Sequence, residues 1–96
     1  MDADEARRLA GDCRRVAETI DEHVALLLTG GYGSVRGDRA APSHSGYRAA
    51  VETVAGRLAL RAVELRSAAR GLTARAETTT LADAAAARRI AGIAAR

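Results

Sequence analysis

The sequence predicts an all-α fold, a long helical hairpin that forms a four-helix bundle when two hairpins pair. The first observation is a ladder of apolar residues in steps of three and four from Tyr47 to Ile93, with no proline inside it. The second is a shorter ladder from Leu9 to Leu27, and the third is the glycine- and serine-containing stretch 30–45 between them. Because such spacing puts apolar side chains on one narrow stripe of a helix, the ladders indicate two helices that pack through these stripes.

The composition indicates a small core. Alanine accounts for 24 of the 96 residues, whereas valine, isoleucine and leucine together number 18, and phenylalanine and tryptophan are absent. A chain of this length forms at most one domain and buries a modest fraction of its surface. We therefore expect the missing part of the core to come from another chain, either a second small helical protein or a second copy.

The charge is unevenly distributed along the chain. All 15 cationic residues are arginine, against 12 acidic residues, for a net charge of +3. Residues 1–30 contain four arginines and seven acidic residues, a net charge of −3, and residues 31–96 carry +6. Antiparallel packing of the acidic helix on the basic one, within or between subunits, would bring fields of opposite sign together.

The first helix is predicted to run from about residue 2 to residue 29. Asp2 is its expected N-cap, and Glu5 three residues later completes a capping box at the positive end of the helix dipole. Gly30 and Gly31 are expected to end the helix. Its apolar stripe comprises Leu9, Cys13, Val16, Ile20, either His23 or Val24, and Leu27.

The second helix is expected from about residue 46 to residue 77. Three consecutive β-branched residues, Thr78–Thr80, lower the helix propensity at that point. Thr80 and Asp83 also match a capping box. The sequence leaves two alternatives open, namely one continuous helix or a bend followed by a short third helix over residues 81–94.

The predicted loop between the helices, about residues 30–45, offers no recognisable catalytic arrangement. Ser43–Ser45 places a histidine between two serines, without a third group to orient it. Cys13, His23 and His44 could together bind a metal ion, but the close ligand pairs typical of zinc sites are missing. The sequence therefore predicts a non-enzymatic protein with no catalytic residues, no metal and no cofactor.

The apolar stripes are predicted to be the surface that binds the partner chain. Leucine side chains would act as knobs, and the small residues between them would let the helices approach closely. The predicted interface residues are Leu9, Cys13, Val16, Ile20, Leu27, Val51, Val54, Leu58, Leu65 and Leu72.

A second interpretation relies on the arginines of the second helix. Three glutamates interrupt these arginines, and aromatic residues are too few to stack on bases, so a nucleic-acid partner is disfavoured. The alternative function is a homodimeric regulatory or nucleic-acid-associated scaffold with a basic face formed by Arg57, Arg61, Arg66, Arg70 and Arg75.

The sequence shows no signal peptide and no membrane-spanning segment. No apolar run follows a basic N-terminal segment, and no stretch approaches the ~18 apolar residues that span a bilayer. We therefore expect synthesis in the cytoplasm, and export by a route without a cleaved signal peptide stays open.

Thr79 and Asp83 are polar residues on the apolar stripe of the second helix. With Leu72 before them and Ala85 after them, they resemble the segment around the Y-x-x-x-D/E export motif of small type VII (ESX) secretion substrates. These substrates are the WxG-type family and its ESX secretion-associated relatives. Asp83 takes the acidic position of that motif, whereas Thr79 stands where the family has tyrosine.

The resemblance extends to the architecture of the whole chain. Members of that family are alanine-rich helical hairpins of about this length that usually pair with a second chain. His44 and Tyr47 take the places of a histidine and a tyrosine ahead of the second helix in the associated subfamily, but this chain has no W-x-G turn and a longer loop. The resemblance implies an actinobacterial secreted protein, or the heterodimer partner of one, recognised by the secretion machinery at Thr79 and Asp83.

Overall fold

The chain forms two antiparallel α-helices. The computed structural model describes residues 1–30 and 41–95 and, in the second range, the side chains from residue 46 onward. Helix α1 spans Ala3–Leu28 and helix α2 spans Ala41–Ala94, with no strand among the described residues. The molecule is 85 Å long and 16 Å across. The predicted all-α helical hairpin is thereby confirmed.

Both ends of α1 have the caps that the sequence predicts. The backbone N–H of Glu5 donates a hydrogen bond of 2.8 Å to the carboxylate of Asp2, the N-cap residue. That bond holds the pKa of Asp2 below its ordinary value of 3.8. At the other end, Gly30 adopts the left-handed conformation with φ of 75°, and its N–H bonds the carbonyl of Leu27. A left-handed residue costs least as glycine, which explains why the helix ends here.

Helix α2 differs from the prediction at its start and in its continuity. It begins at Ala41 rather than near residue 46, and it runs through Thr78–Thr80 without a break. The Thr78 hydroxyl donates to the carbonyl of Ala74 at 3.0 Å, and the Thr80 hydroxyl accepts from Arg7 of α1 at 2.9 Å. The helical conformation satisfies both hydroxyl groups, and the Arg7 bond and the packing against α1 offset the weak helix propensity of threonine. The alternative of a separate third helix is wrong.

Three side-chain bonds between the helices fix their alignment. Successive bonds are seven residues apart on both helices, in opposite chain directions, so each bond marks one heptad of an antiparallel coiled coil. The bonds run from Arg7 to Thr80 at 2.9 Å, from Arg14 to Thr73 at 2.8 Å, and from Arg66 to Asp21 at 2.5 Å.

The core between the helices consists of alanine. Every fully buried residue in the described part of the chain is an alanine with an exposed fraction of 0–3 %. The alignment places Ala10 level with Ala76 and Ala17 level with Ala69. A buried methyl group contributes only about 0.8 kcal/mol, so this contact is weak for its length. We call the seven residues the alanine core: Ala6, Ala10, Ala17, Ala55, Ala62, Ala69 and Ala76.

Helix α2 extends past both ends of α1. It has 54 residues, whereas α1 has 26. By the alignment of the three bonds, the ends of α1 are level with about residues 58 and 83. Residues 41–57 and 84–94 of α2 therefore form an N-terminal and a C-terminal overhang. Ile90 and Ile93 of the C-terminal overhang are 67 % and 68 % exposed.

We expect Ala69→Leu to destabilise the hairpin, because the alanine core has no room for a larger side chain. Overpacking a close contact typically costs about 1–3 kcal/mol. The matched control is Ala74→Leu, which makes the same change at an exposed position of the same helix. Thermal unfolding followed by far-UV circular dichroism should show a lower midpoint for Ala69→Leu only. Equal midpoints for the two variants would contradict the alanine core.

We expect the N-terminal turn of α1 to loosen in acid. Because the folded pKa of Asp2 lies below 3.8, its stabilisation is present above that pH and is lost as the pH falls through the folded pKa. Asp2→Asn keeps a side-chain acceptor for Glu5 but does not titrate. Hydrogen exchange of the Glu5 amide should accelerate in acid, beyond the intrinsic pH trend, in the parent chain and not in the variant. The same acceleration in both would show that Asp2 is not responsible.

Candidate functional site

Most of the large apolar side chains lie on one side of the hairpin, next to the alanine core, whereas Leu28, Leu60, Val63 and Leu81 are exposed elsewhere. In heptad notation, six of the seven core alanines occupy position a, positions d are mostly half-buried, and the flanking positions g are exposed. Positions d and g of both helices lie on the same side of an antiparallel pair. We call this side the open face. Its apolar residues include Leu9, Cys13, Val16, Ile20 and Leu27 of α1, and Val51, Val54, Leu58, Leu65 and Leu72 of α2.

All ten residues predicted to bind a partner lie on the open face. Leu9, Val16 and Val54 are 42 %, 49 % and 47 % exposed, and the other seven are half-buried. The contact between α1 and α2 covers six of these seven from one side only, because Val51 lies beyond the end of α1. Leu9, Val16 and Val54 lie beside the stripe that packs inside the hairpin, where the sequence analysis had placed them within it. Their role in binding a partner stays a prediction.

The opposite side of the hairpin is polar and already bonded. It carries the three cross-helix bonds, and Arg66 and Thr73 are half-buried there. Arg66 and Asp21 keep 39 % and 48 % of their side-chain surface, so water screens this ion pair. Such pairs contribute about 0–1 kcal/mol, and their main effect is to fix the alignment. The hairpin therefore has one bonded polar side and one uncovered apolar side.

Thr79 and Asp83 lie where α1 begins and α2 continues alone. Thr79 is half-buried and level with Ala6, whereas Asp83 is exposed and level with Ala3. A carboxylate on the apolar stripe is tolerated here because the stripe has no opposing helix beyond this point. The candidate recognition residues thus occupy a junction between the paired and the unpaired part of α2.

The five arginines proposed as a basic face do not share one side of α2. Arg57, Arg61 and Arg75 occupy positions on the side of the open face, whereas Arg66 and Arg70 lie on the polar side. Arg61 pairs with Glu64 at 3.1 Å, and Arg66 pairs with Asp21. The arginines therefore form no continuous strip along which a phosphate backbone could lie.

The described residues contain no group that could hold a metal ion. No three histidine, cysteine or acidic side chains come together among residues 1–30 and 46–95. Cys13 is half-buried and His23 is exposed, while the side chain of His44 lies outside the described residues. A surface groove of about 200 Å³ mixes guanidinium and carboxylate groups and is lined by Arg14, Glu18, Arg66 and Arg70. None of the helices, as far as they are described, is long and apolar enough to cross a membrane.

Two sets of residues were missed by reasoning from the sequence. The first is the alanines of α1 and Ala55, because a search for large apolar residues passes over alanine. The second is the set of cross-helix bonds, whose signal is the seven-residue spacing of polar residues on each helix. That second set comprises Arg7, Arg14, Asp21, Arg66, Thr73 and Thr80.

Comparison of the chain with protein-family models, with curated proteins and with solved structures finds no match. The functional argument consequently depends on the geometry of the hairpin and on the sequence pattern.

Proposed function

We propose that this chain is a non-enzymatic interaction protein whose open face binds a second helical hairpin to form a four-helix bundle. The observation that carries the proposal is the division of apolar residues within the hairpin. The fully buried described residues are all alanine, whereas most of the leucine, isoleucine and valine side chains lie on the uncovered side. A partner hairpin of the same length would cover this side and complete a four-helix bundle.

The energetics support a partner on the open face. Full burial of a valine, leucine or isoleucine side chain contributes about 1.5–3 kcal/mol, several times the contribution of an alanine methyl group. Most of the hydrophobic stabilisation that this sequence can supply is therefore unused in the isolated hairpin. Large contiguous apolar surfaces of soluble proteins commonly mark binding sites. An uncovered face of this length on so small a chain favours an obligate partner.

The complex is further proposed to be a type VII secretion substrate, with this chain as the substrate or as the companion of one. Support comes from the resemblance of the segment Leu72–Ala85 to the export-motif region of that family. The position of Thr79 and Asp83 at the junction where α2 continues alone is also suitable for recognition, since Asp83 is exposed there. The chain would be made in the cytoplasm and exported as part of the helical complex.

We expect Leu65→Asp to abolish pairing, because the complex would bury an uncompensated carboxylate at the centre of the open face. The matched control is Leu60→Asp, at a position that is 60 % exposed and points away from the open face. Sedimentation analysis and circular dichroism should show lost complex mass and reduced helicity for Leu65→Asp alone. If the partner is a different chain, the comparison is made on the co-purified complex. A Leu65→Asp variant with parental mass and helicity would reject the open face as the interface.

We expect Asp83→Ala to reduce export severalfold, because it removes the carboxylate proposed to be recognised. The measurement is the amount of tagged protein in the culture supernatant of a strain with a type VII system, with the intracellular amount as reference. Glu77→Ala is the matched control, since Glu77 is an exposed acid on the polar side of the same helix. Since the partner can carry an export signal of its own, its acidic signal residue is also replaced. Unchanged export under those conditions would exclude Asp83 as the recognition site.

A further inference from the structure

We infer that the partner on the open face is a second copy of this chain, with the two hairpins related by a two-fold axis along the bundle. In this arrangement the α1 helices point in the same direction, and α1 of each copy lies beside α2 of the other. The inference rests on the proposed function, because it names the occupant of the proposed interface. It also specifies which helices of the two copies are in contact and how their residues are aligned along the bundle axis.

The first argument is the division of charge between the two helices. Residues 1–30 carry a net charge of −3, whereas α2 carries eight arginines and four acidic residues, a net charge of +4. A two-fold axis along the bundle puts each acidic α1 between two basic α2 helices. The alternative axis, perpendicular to the bundle, puts α1 against α1 and α2 against α2, so that charges of the same sign adjoin. Complementary fields favour the first arrangement.

The same division explains why a second copy suffices. A two-fold interface uses the same surface on both partners, so that surface must be complementary to itself. One hairpin supplies both signs of charge on the two edges of its open face. The acidic edge is on α1, with Glu5 and with Asp12, which also pairs with Arg15 of its own helix. The basic edge is on α2, with Arg57, Arg61 and Arg75 and one acid, Glu64. No differently charged second protein is required.

The second argument is the matching of side-chain size at equal height. Rotation about an axis parallel to the helices leaves heights unchanged, so the alignment within one hairpin also predicts the contacts between the two copies. Val16 of one copy is then level with Gly71 of the other, and Ala68 lies one turn away. A Cβ added at Gly71 would meet nothing within 4 Å in its own chain. A large side chain thus faces two small ones, as interdigitated packing requires.

The same alignment places Arg75 in the proposed interface. It is level with Asp12 of the partner copy, with Leu9 one turn and Glu5 two turns away. A depression of about 310 Å³ surrounds that leucine and is lined by Met1, Glu5, Arg8, Leu9 and Asp12. Two acids around an apolar depression suit a guanidinium group, whose stem is apolar and whose head is charged. The two-fold axis repeats this contact twice.

The C-terminal overhangs of α2 also favour this arrangement, because they can pack against each other. With the α1 helices parallel, the two C-terminal overhangs lie side by side at one end of the bundle. Ile90 and Ile93 continue the heptad positions a and d of α2 beyond the end of α1. The isoleucines of the two copies then face each other across the axis and lose the exposure of 67 % and 68 % that they have in the single hairpin.

The test measures the distance between spin labels in the dimer. In a Cys13→Ala background, the variant Ala91→Cys carries one label on the C-terminal overhang of each copy. Parallel hairpins put the two labels within about 35 Å of each other, since the overhangs adjoin. With the perpendicular axis, each label lies about 20 residues from the middle of the overlap, so the labels are roughly 60 Å apart at 1.5 Å per residue. Ser67→Cys, near that middle, is the control and gives a short distance in both arrangements.

Each outcome decides one part of the inference. A short distance at both labelled sites, lost in the Leu65→Asp variant, supports the parallel dimer through the open face. A long distance between labels at residue 91, with a short one at residue 67, overturns the arrangement and leaves the proposed interface intact. A chain without any dipolar coupling overturns the second copy as partner, and the co-purified complex then tests the proposed function alone. A short distance that survives Leu65→Asp refutes both.

Discussion

The contact between facing alanine methyl groups controls the rest of this structure. Ala10 with Ala76 and Ala17 with Ala69 let the helices pack closely without any large side chain between them. Such a contact specifies an alignment but contributes little free energy, because each methyl group buries so little surface. Three polar bonds spaced by heptads add specificity, again at low energy, since they are exposed to water. The contact therefore fixes how the two helices are aligned but contributes little to the free energy of unfolding.

From this constraint follows the arrangement of the larger residues. Since alanine fills the contact, leucine, isoleucine and valine lie beside it and not inside it. They accumulate on the side opposite the polar bonds, where water or another chain must cover them. The packing of the helices, the distribution of charge and the overhangs of α2 all bear on what binds to this side. This distribution is the reason for proposing that the hairpin supplies one half of a larger core.

The sequence predicted the fold class, the cap at Asp2, the stop at Gly30 and the apolar residues that share a face. Apolar spacing predicts the fold class and the shared face, and the capping residues predict the ends of α1, because each depends on local geometry. The sequence left open the continuity of α2 across Thr78–Thr80, where Arg7 of the other helix bonds Thr80. Nor did it separate the internal contact from the outer face, because that assignment depends on which stripe α1 covers. Val16 and Ala17 are neighbours in sequence, and only the pairing decides which one is buried.

The most direct test of a half-built core is the dependence of helicity on protein concentration, with the mass followed by light scattering. If a second copy completes the core, the far-UV signal and the unfolding midpoint should rise with concentration together with the dimer mass, by mass action. If a different chain completes it, the isolated protein should be poorly helical until that chain is added. A monomer with full helicity and a midpoint independent of concentration would contradict the account, because the alanine core alone would then be sufficient.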